Sequence, residues 1–401
     1  MLKWIFKVAL FACIWPSFVL SQIHYEMETY RDSSSFISGD YGKNWQTNWI
    51  PQHRYKSYLF GNNIDLQEEI TSLSKATSKD FLTAELNENF KISYLSKQRR
   101  DKQISIDLEQ KVNFQSVLKR NLITALLEGW DKFDSINASG TFAQIFHSTK
   151  ISAGMRTSYC RDTANWFIHP KLNFYIPYQW LQLNIQQGAF AIDQNPFTTL
   201  SADINMIMAQ KGLDSNLFTP IGFGAGIDVE VAKIIEKKLL ISAQLRDFGW
   251  ISIPVIEFIT IKGNAEFSGF DILADSTSNL TESILDTFNL ERSNMALSWR
   301  NDARIIVSLI NKFNKGWFYK ISVTHFMNYP RGAILQMAIN KQICNHFFLE
   351  TGLVFGGLGD PLWNTGIHFS GKQWRFGLNT SNLLLDRANS FAGNAFIAKL
   401  F

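Results

Sequence analysis

Charge is scarce in this sequence. Asp, Glu, Lys and Arg make up only 18% of its 401 residues, against roughly 25% in an average soluble chain. The formal net charge of +4 gives no electrostatic footprint for nucleic acid, so none is expected as a partner. Cysteine is scarcer still. The three residues at 13, 160 and 344 are too few for a disulfide framework. There is no CxxC pair, and the histidines (24, 53, 147, 169, 325, 346, 368) are scattered. The expectation is no metal and no cofactor. Long apolar runs are also missing. A helical membrane protein needs stretches of roughly 20 apolar residues, and the one such stretch lies at the N-terminus. Yet 46% of the chain is apolar and 14% aromatic, with a mean hydropathy of −0.08. Apolar residues must therefore be interleaved with polar ones.

The N-terminal run, MLKWIFKVALFACIWPSFVLSQ, starts with Lys3 and Lys7, continues apolar from Val8 to Leu20 and offers a cut after Ser21. That order is the anatomy of a secretory signal peptide over residues 1–21. The alternatives are an uncleaved anchor helix, or a lipoprotein box at Leu10-Phe11-Ala12-Cys13, which Phe11 fits poorly. Export leaves Cys160 and Cys344, both expected near strand ends and unpaired.

The interleaving has a period. In GFGAGIDVEV, residues 222–231, Phe223, Ala225, Ile227, Val229 and Val231 share one face of a strand. Gly222, Gly224, Gly226, Asp228 and Glu230 share the other. KQISIDLEQKV opposes Ile104, Ile106 and Leu108 to Ser105, Asp107 and Glu109; LLISAQLR opposes Ile241, Ala243 and Leu245 to Ser242, Gln244 and Arg246. The same alternation sets Lys320 opposite Ile321, Glu350 opposite Leu349, and Arg375 opposite Trp374 and Phe376. Short polar turns at 236–238, 311–316, 340–345 and 371–373 separate these runs, as in a meander of antiparallel hairpins.

Run length separates two readings. Strands of a soluble sandwich average about 5–6 residues, whereas a tilted membrane strand needs roughly 9–11. The runs 221–233, 237–249 and 345–356 are long, and their apolar faces end in Trp, Phe or Tyr, which suits the membrane interfaces. An open sheet edge cannot stand in hydrocarbon, so the strands must close. The expected fold is all-β: an antiparallel up-and-down transmembrane barrel of about 14 strands (12–16), with a few short helices in loops. Asp107, Glu109, Asp228, Glu230, Arg246, Lys320, Glu350 and Arg375 are expected to face its lumen. These five acids and three bases are expected to pair across strands and narrow or plug the interior. On this reading Gly226→Ser is far milder than Ile227→Arg. A secreted soluble β-protein binding cell-surface polymers remains the alternative, because period 2 does not name the solvent.

Helical spacing appears at 116–133 (Leu118, Leu122, Ala125, Leu126, Trp130) and at 278–291 (Leu280, Ile284, Phe288), and 64–87 is a third candidate. Each reads as a rim loop or as an interfacial or lumen-plugging helix. LVFGGLGDP lacks the Lys and Ser/Thr of a phosphate loop and reads as a strand-end loop.

Two resemblances follow. NAFIAKLF, ending at Phe401, resembles the terminal strand signal of outer-membrane barrels, which implies that Phe401 is read by the barrel-assembly machinery. IGFGAGIDVEVAKIIEKKLLISAQLRDFGWIS, FKISYLSKQRRDKQISIDLEQKV and FGLNTSNLLL resemble a Bacteroidota outer-membrane barrel family, domain of unknown function 5723 (DUF5723). That family is distantly similar to FadL-like barrels that include type IX secretion accessory proteins. The resemblance spans most of residues 88–401 and implies no catalytic residue.

The expected layout is a signal peptide (1–21), a partly helical periplasmic or lumen-associated segment (22–87) and the barrel (88–401), located in a Gram-negative outer membrane. The expected function is non-enzymatic: hydrophobic-ligand handling, or an accessory to secretion or surface assembly. The implied partners are outer-membrane lipid, the assembly machinery and a possible secretion or surface protein. A barrel hydrolase recruiting His368-Phe369-Ser370 is the remaining class, with no carboxylate placed beside His368 by spacing.

Overall fold

A computed structural model describes residues 35–47, 81–99, 102–128, 135–161, 164–192, 197–209, 219–268, 289–314, 316–327, 333–356, 361–381 and 390–401. The signal-peptide segment, residues 64–80 and most of 278–291 lie outside them.

Period-2 sequence becomes strand almost everywhere. In chain order these are β1 (Phe36–Thr47), β2 (Phe81–Arg99), β3 (Lys102–Lys119), β4 (Ser135–Asn137), β5 (Thr141–Arg161) and β6 (Ala164–Ile192). Then come β7 (Phe197–Ala209), β8 (Phe223–Ile235), β9 (Leu239–Ser268), β10 (Asn289–Arg300), β11 (Arg304–Asn314) and β12 (Trp317–Phe326). The chain closes with β13 (Ala333–Gln342), β14 (Phe347–Phe355), β15 (Leu362–Ser370), β16 (Trp374–Ser381) and β17 (Ser390–Leu400).

All pairings are antiparallel, and β1 pairs with both β2 and β17, so the sheet closes on itself. Three places in the wall hold two successive segments. β4 extends β5 along β6, β7 and β8 both lie between β6 and β9, and β10 and β11 both lie against β9. Seventeen segments therefore fill the fourteen places of an up-and-down barrel.

Burial runs opposite to that of a soluble protein. Leu172, Ile106, Leu108, Phe174, Ile321 and Ile367 are exposed on the outer face, while Asp107, Glu109, Lys150, Asn173 and Ser322 are buried inside. The apolar outside needs an apolar solvent, because single exposed leucines are ordinary but a continuous ring of them is not.

Two expectations need correction. Residues 36–47 and 81–87, assigned above to a segment preceding the barrel, are wall strands. Gly39 and Lys43 interrupt the alternation of β1, and its strand form comes from pairing with β17 and β2. Helix α1 covers only Arg120–Glu128, because Ser116 to Lys119 pair with Ala84 to Phe81 and extend β3. Its side chains at 120–125 include Thr124, whose hydroxyl donates to Arg120 O.

The turns at one rim are tight. Glu236 and Lys237 (φ 49° and 57°) form a two-residue turn closed by Lys238 N–H donating to Ile235 O at 3.0 Å, the type I′ geometry that matches strand twist. β13 runs on to Gln342, so the turn expected at 340–345 falls at 343–346, and Asn340 is a fully buried strand residue. Exposed Cys344 in that turn carries a free thiol.

Candidate functional site: the charged interior

The site begins with a break in periodicity. On β9 the outward residues Leu245 and Phe248 stand three apart instead of two, and Val229 and Ile227 of β8 pair with them. Asp228 alone therefore opposes Arg246 and Asp247, a β-bulge, with Asp247 at φ 59°. The bulge turns Asp247 inward, where it is 3% exposed. Its backbone N–H donates to Asp228 Oδ1 at 2.7 Å.

Bases converge on Asp247. Lys150 Nζ lies 2.6 Å from Oδ1, Lys111 Nζ 2.8 Å from Oδ2, and Arg304 3.4 Å from Oδ2. Lys150 also reaches Asp228 at 2.8 Å and Glu109 at 3.8 Å; Lys111 reaches Glu109 at 3.4 Å. Asn173 Nδ2 donates to Asp228 at 2.7 Å, and Tyr175 OH to Asp247 at 3.4 Å. Lys111 and Asp247 are four wall places apart, an arc of about 19 Å at ~4.8 Å per strand. Direct contact requires the wall to curl tightly round the cluster, which braces this side of the lumen.

A second cluster adjoins it. Asp107 pairs with Lys171 and lies 3.9 Å from Lys91. His169 bonds Ser105 Oγ at 2.6 Å and lies 3.6 Å from Glu230, which accepts from Gln244 at 2.7 Å. A cavity of about 190 Å³ opens beside these groups, with Arg246 and Arg156 among its lining.

Of the lumen-facing candidates, the structure brings Asp107, Glu109, Asp228, Glu230 and Arg246 together. Lys320, Glu350 and Arg375 are buried on the other arc, β12 to β16. There His368 Nε2 stands 3.5 Å from Glu350, and Asn379 Nδ2 donates to Glu350 at 3.4 Å. No hydrogen bond joins Ser370 to His368 among the described residues. The expected excess of acid does not hold locally. Lys91, Lys111, Lys150, Lys171 and Arg304 escaped the sequence reading, as did Asp247. The visible signal for Asp247 was the adjacent pair Arg246-Asp247 between apolar residues spaced by three.

On both sides of the charges the interior turns apolar. Phe167, Ile234, Leu240, Ile310, Phe318 and Phe348 pack together near the tight-turn rim. Toward the other rim, Phe146 shares the inner face of β5 with Lys150. It meets Trp180 and Trp299 at ring-centroid distances of 5.6 Å each, backed by Ile253 and Ile256.

The glycine face of β8 serves close packing. A Cβ on Gly226 would lie 2.7 Å from Phe248 O and 3.1 Å from the Tyr175 ring. Gly226→Ser, expected above to be far milder than Ile227→Arg, should therefore destabilise by about 1–3 kcal/mol, the usual cost of overpacking. Urea titration of the folded, heat-modifiable band measures it, and an unchanged midpoint would refute the tight Gly226–Tyr175 contact.

Residues 44–356 match the pattern of a family described as a family of unknown function (DUF5723). The match starts inside β1, well before residue 88. No curated protein matches the chain. Among solved structures, the chain is similar to a deletion mutant of the TodX monoaromatic hydrocarbon channel, with 10% identity and a TM-score of 0.50 over 92% of this chain and 91% of that one. It is also similar to the P. putida toluene transporter TodX (8% identity, TM-score 0.47, 93% and 91% covered). A Pseudomonas aeruginosa FadL homologue gives 6% identity and a TM-score of 0.41, with 91% and 88% covered. At such identities the first likeness is one of fold.

Proposed function

The chain belongs to the family of unknown function DUF5723, and from that premise we propose that it is an outer-membrane barrel with a braced, closed interior that handles small apolar molecules without catalysis. The observation that carries the reading is the convergence of Lys111, Lys150 and Arg304 on Asp247. A general porin needs a continuous wet channel, and ion pairs spanning several wall places obstruct one. The packed Phe146–Trp180–Trp299 cluster makes the interior beyond the charges apolar and aromatic. Toluene is the natural probe for it, since the channels of related fold carry such molecules by description.

A second reading, an accessory to secretion or surface assembly, is favoured by wall height. β12 to β17 are 8–11 residues long, as a bilayer requires, whereas β6 and β9 have 29 and 30. The surplus forms a tall wall with β7 and β10, and β10 exposes Asn289, Glu291, Arg292 and Asn294 as a protein-docking surface would.

Planar-bilayer recording at neutral pH and high salt tests the closed interior. The purified barrel should give no large, stable, ohmic openings. If it gives them, a diffusion pore becomes the better reading.

A further inference from the structure

We propose that the tight-turn rim binds anionic glycerophospholipids through three tryptophan–lysine couples, Trp166/Lys233, Trp317/Lys341 and Trp374/Lys399. The inference rests on the membrane-barrel reading above. Each couple is a directly opposed cross-strand pair: β6 with β8, β12 with β13, and β16 with β17. In each, the ammonium sits over the indole, at 4.7, 4.5 and 5.4 Å from the ring centroid, and Lys399 also lies 5.1 Å from the Phe401 ring. The three tryptophans are exposed on the outer, apolar face. They continue the rows Ile168–Leu172, Ile321–Val323 and Phe376–Leu378 at their tight-turn ends.

None of the three lysines has an anionic partner among the described residues: no carboxylate there lies within ion-pair distance of Lys233, Lys341 or Lys399. Tryptophan belongs at the boundary between acyl chains and headgroups, and a lysine held over its face projects its remaining N–H groups toward the phosphate level. Among the described side chains, the turns beyond the couples carry Lys102, Lys237, Lys238 and Lys372 against Glu236, a basic balance. Anionic leaflet surfaces attract such clusters. Successive couples stand four wall places apart from β6/β8 to β12/β13 and on to β16/β17, about 19 Å of arc at ~4.8 Å per strand. That spacing is too wide for one headgroup and gives three separate sites.

The test is native mass spectrometry of the full barrel, released from mixed phosphatidylglycerol and phosphatidylcholine bilayers. The parent should retain up to three phosphatidylglycerols, with a preference of about fivefold per couple over phosphatidylcholine. K233Q/K341Q/K399Q should lose the preference, and K233R/K341R/K399R should keep it. Equal retention of both lipids by the parent, or undiminished preference in the Gln variant, would overturn the proposal. So would loss of the preference to millimolar inorganic phosphate, which marks a free-phosphate site. With lipopolysaccharide added to the same bilayers, its retention in place of phosphatidylglycerol would overturn it too, by placing this rim in the other leaflet. Insertion is scored separately by heat-modifiable mobility. A parent that inserts without lipid preference removes the lipid sites and leaves the barrel; one that never inserts removes both.

Discussion

Asp247→Asn should lower the unfolding free energy of the barrel by about 3 kcal/mol. Asparagine tolerates the left-handed backbone at this position, so the change removes charge without adding strain. It takes from Lys150, 5% exposed, and from the partly buried Lys111 and Arg304 the carboxylate they share, leaving Lys150 with Asp228 and Glu109 and Lys111 with Glu109. Stripping one partner from a buried ionic group typically costs about 3–5 kcal/mol, and the lower end applies because Lys111 and Arg304 keep about a quarter of their surface, 27% and 25%. Glu257→Gln is the control. Its pair with Arg292, at 3.5 Å, stands in the open with side chains 35% and 65% exposed, and such pairs contribute at most about 1 kcal/mol. Urea unfolding in detergent, followed by tryptophan fluorescence, compares the two. Equal, small shifts would remove the brace and with it the main argument for a closed interior.

Ile227→Arg should cost about 2–4 kcal/mol in a lipid bilayer. Ile227 opposes Leu172 across β6 and β8, in the middle of the outer apolar face, between Phe223 and Lys233. An arginine there must either enter hydrocarbon or drag water in. Val231→Arg, two residues from Lys233, sits close enough to the rim to reach headgroups and should cost less than about 1 kcal/mol. Folding yields in vesicles of one lipid composition give the comparison. If the two variants fold equally well, the outer face does not meet lipid at Ile227, and the soluble β-protein regains its place.

The outward and inward faces were legible before any coordinates, because side-chain alternation is a local property of a strand. GFGAGIDVEV reads the same way in the sequence as in β8: Phe223, Ala225 and Ile227 outside, Asp228 and Glu230 turned in. Strand number was legible only as a range of 12–16 about 14; closure of the sheet sets it at fourteen wall places, three of them shared by two segments. The sequence could not give the partners of those inward charges. Asp107 meets Lys171 of β6 and Asp247 meets Lys111 of β3, contacts fixed by register and by how sharply the wall curls. Nor could it place β1, whose Gly39 and Lys43 interrupt the pattern and whose strand form is imposed by its two neighbours. The first turn of the expected helix went to β3 for a related reason, since pairing with β2 outweighed helical spacing at 116–119. Residues 222 to 226 show the divide most clearly. Alternation puts Gly226 on the inner face, but only the packed barrel puts the Tyr175 ring 3.1 Å from where its Cβ would be. Which face a residue takes depends on its neighbours in sequence; what it touches there depends on strands far along the chain, brought beside it by closure.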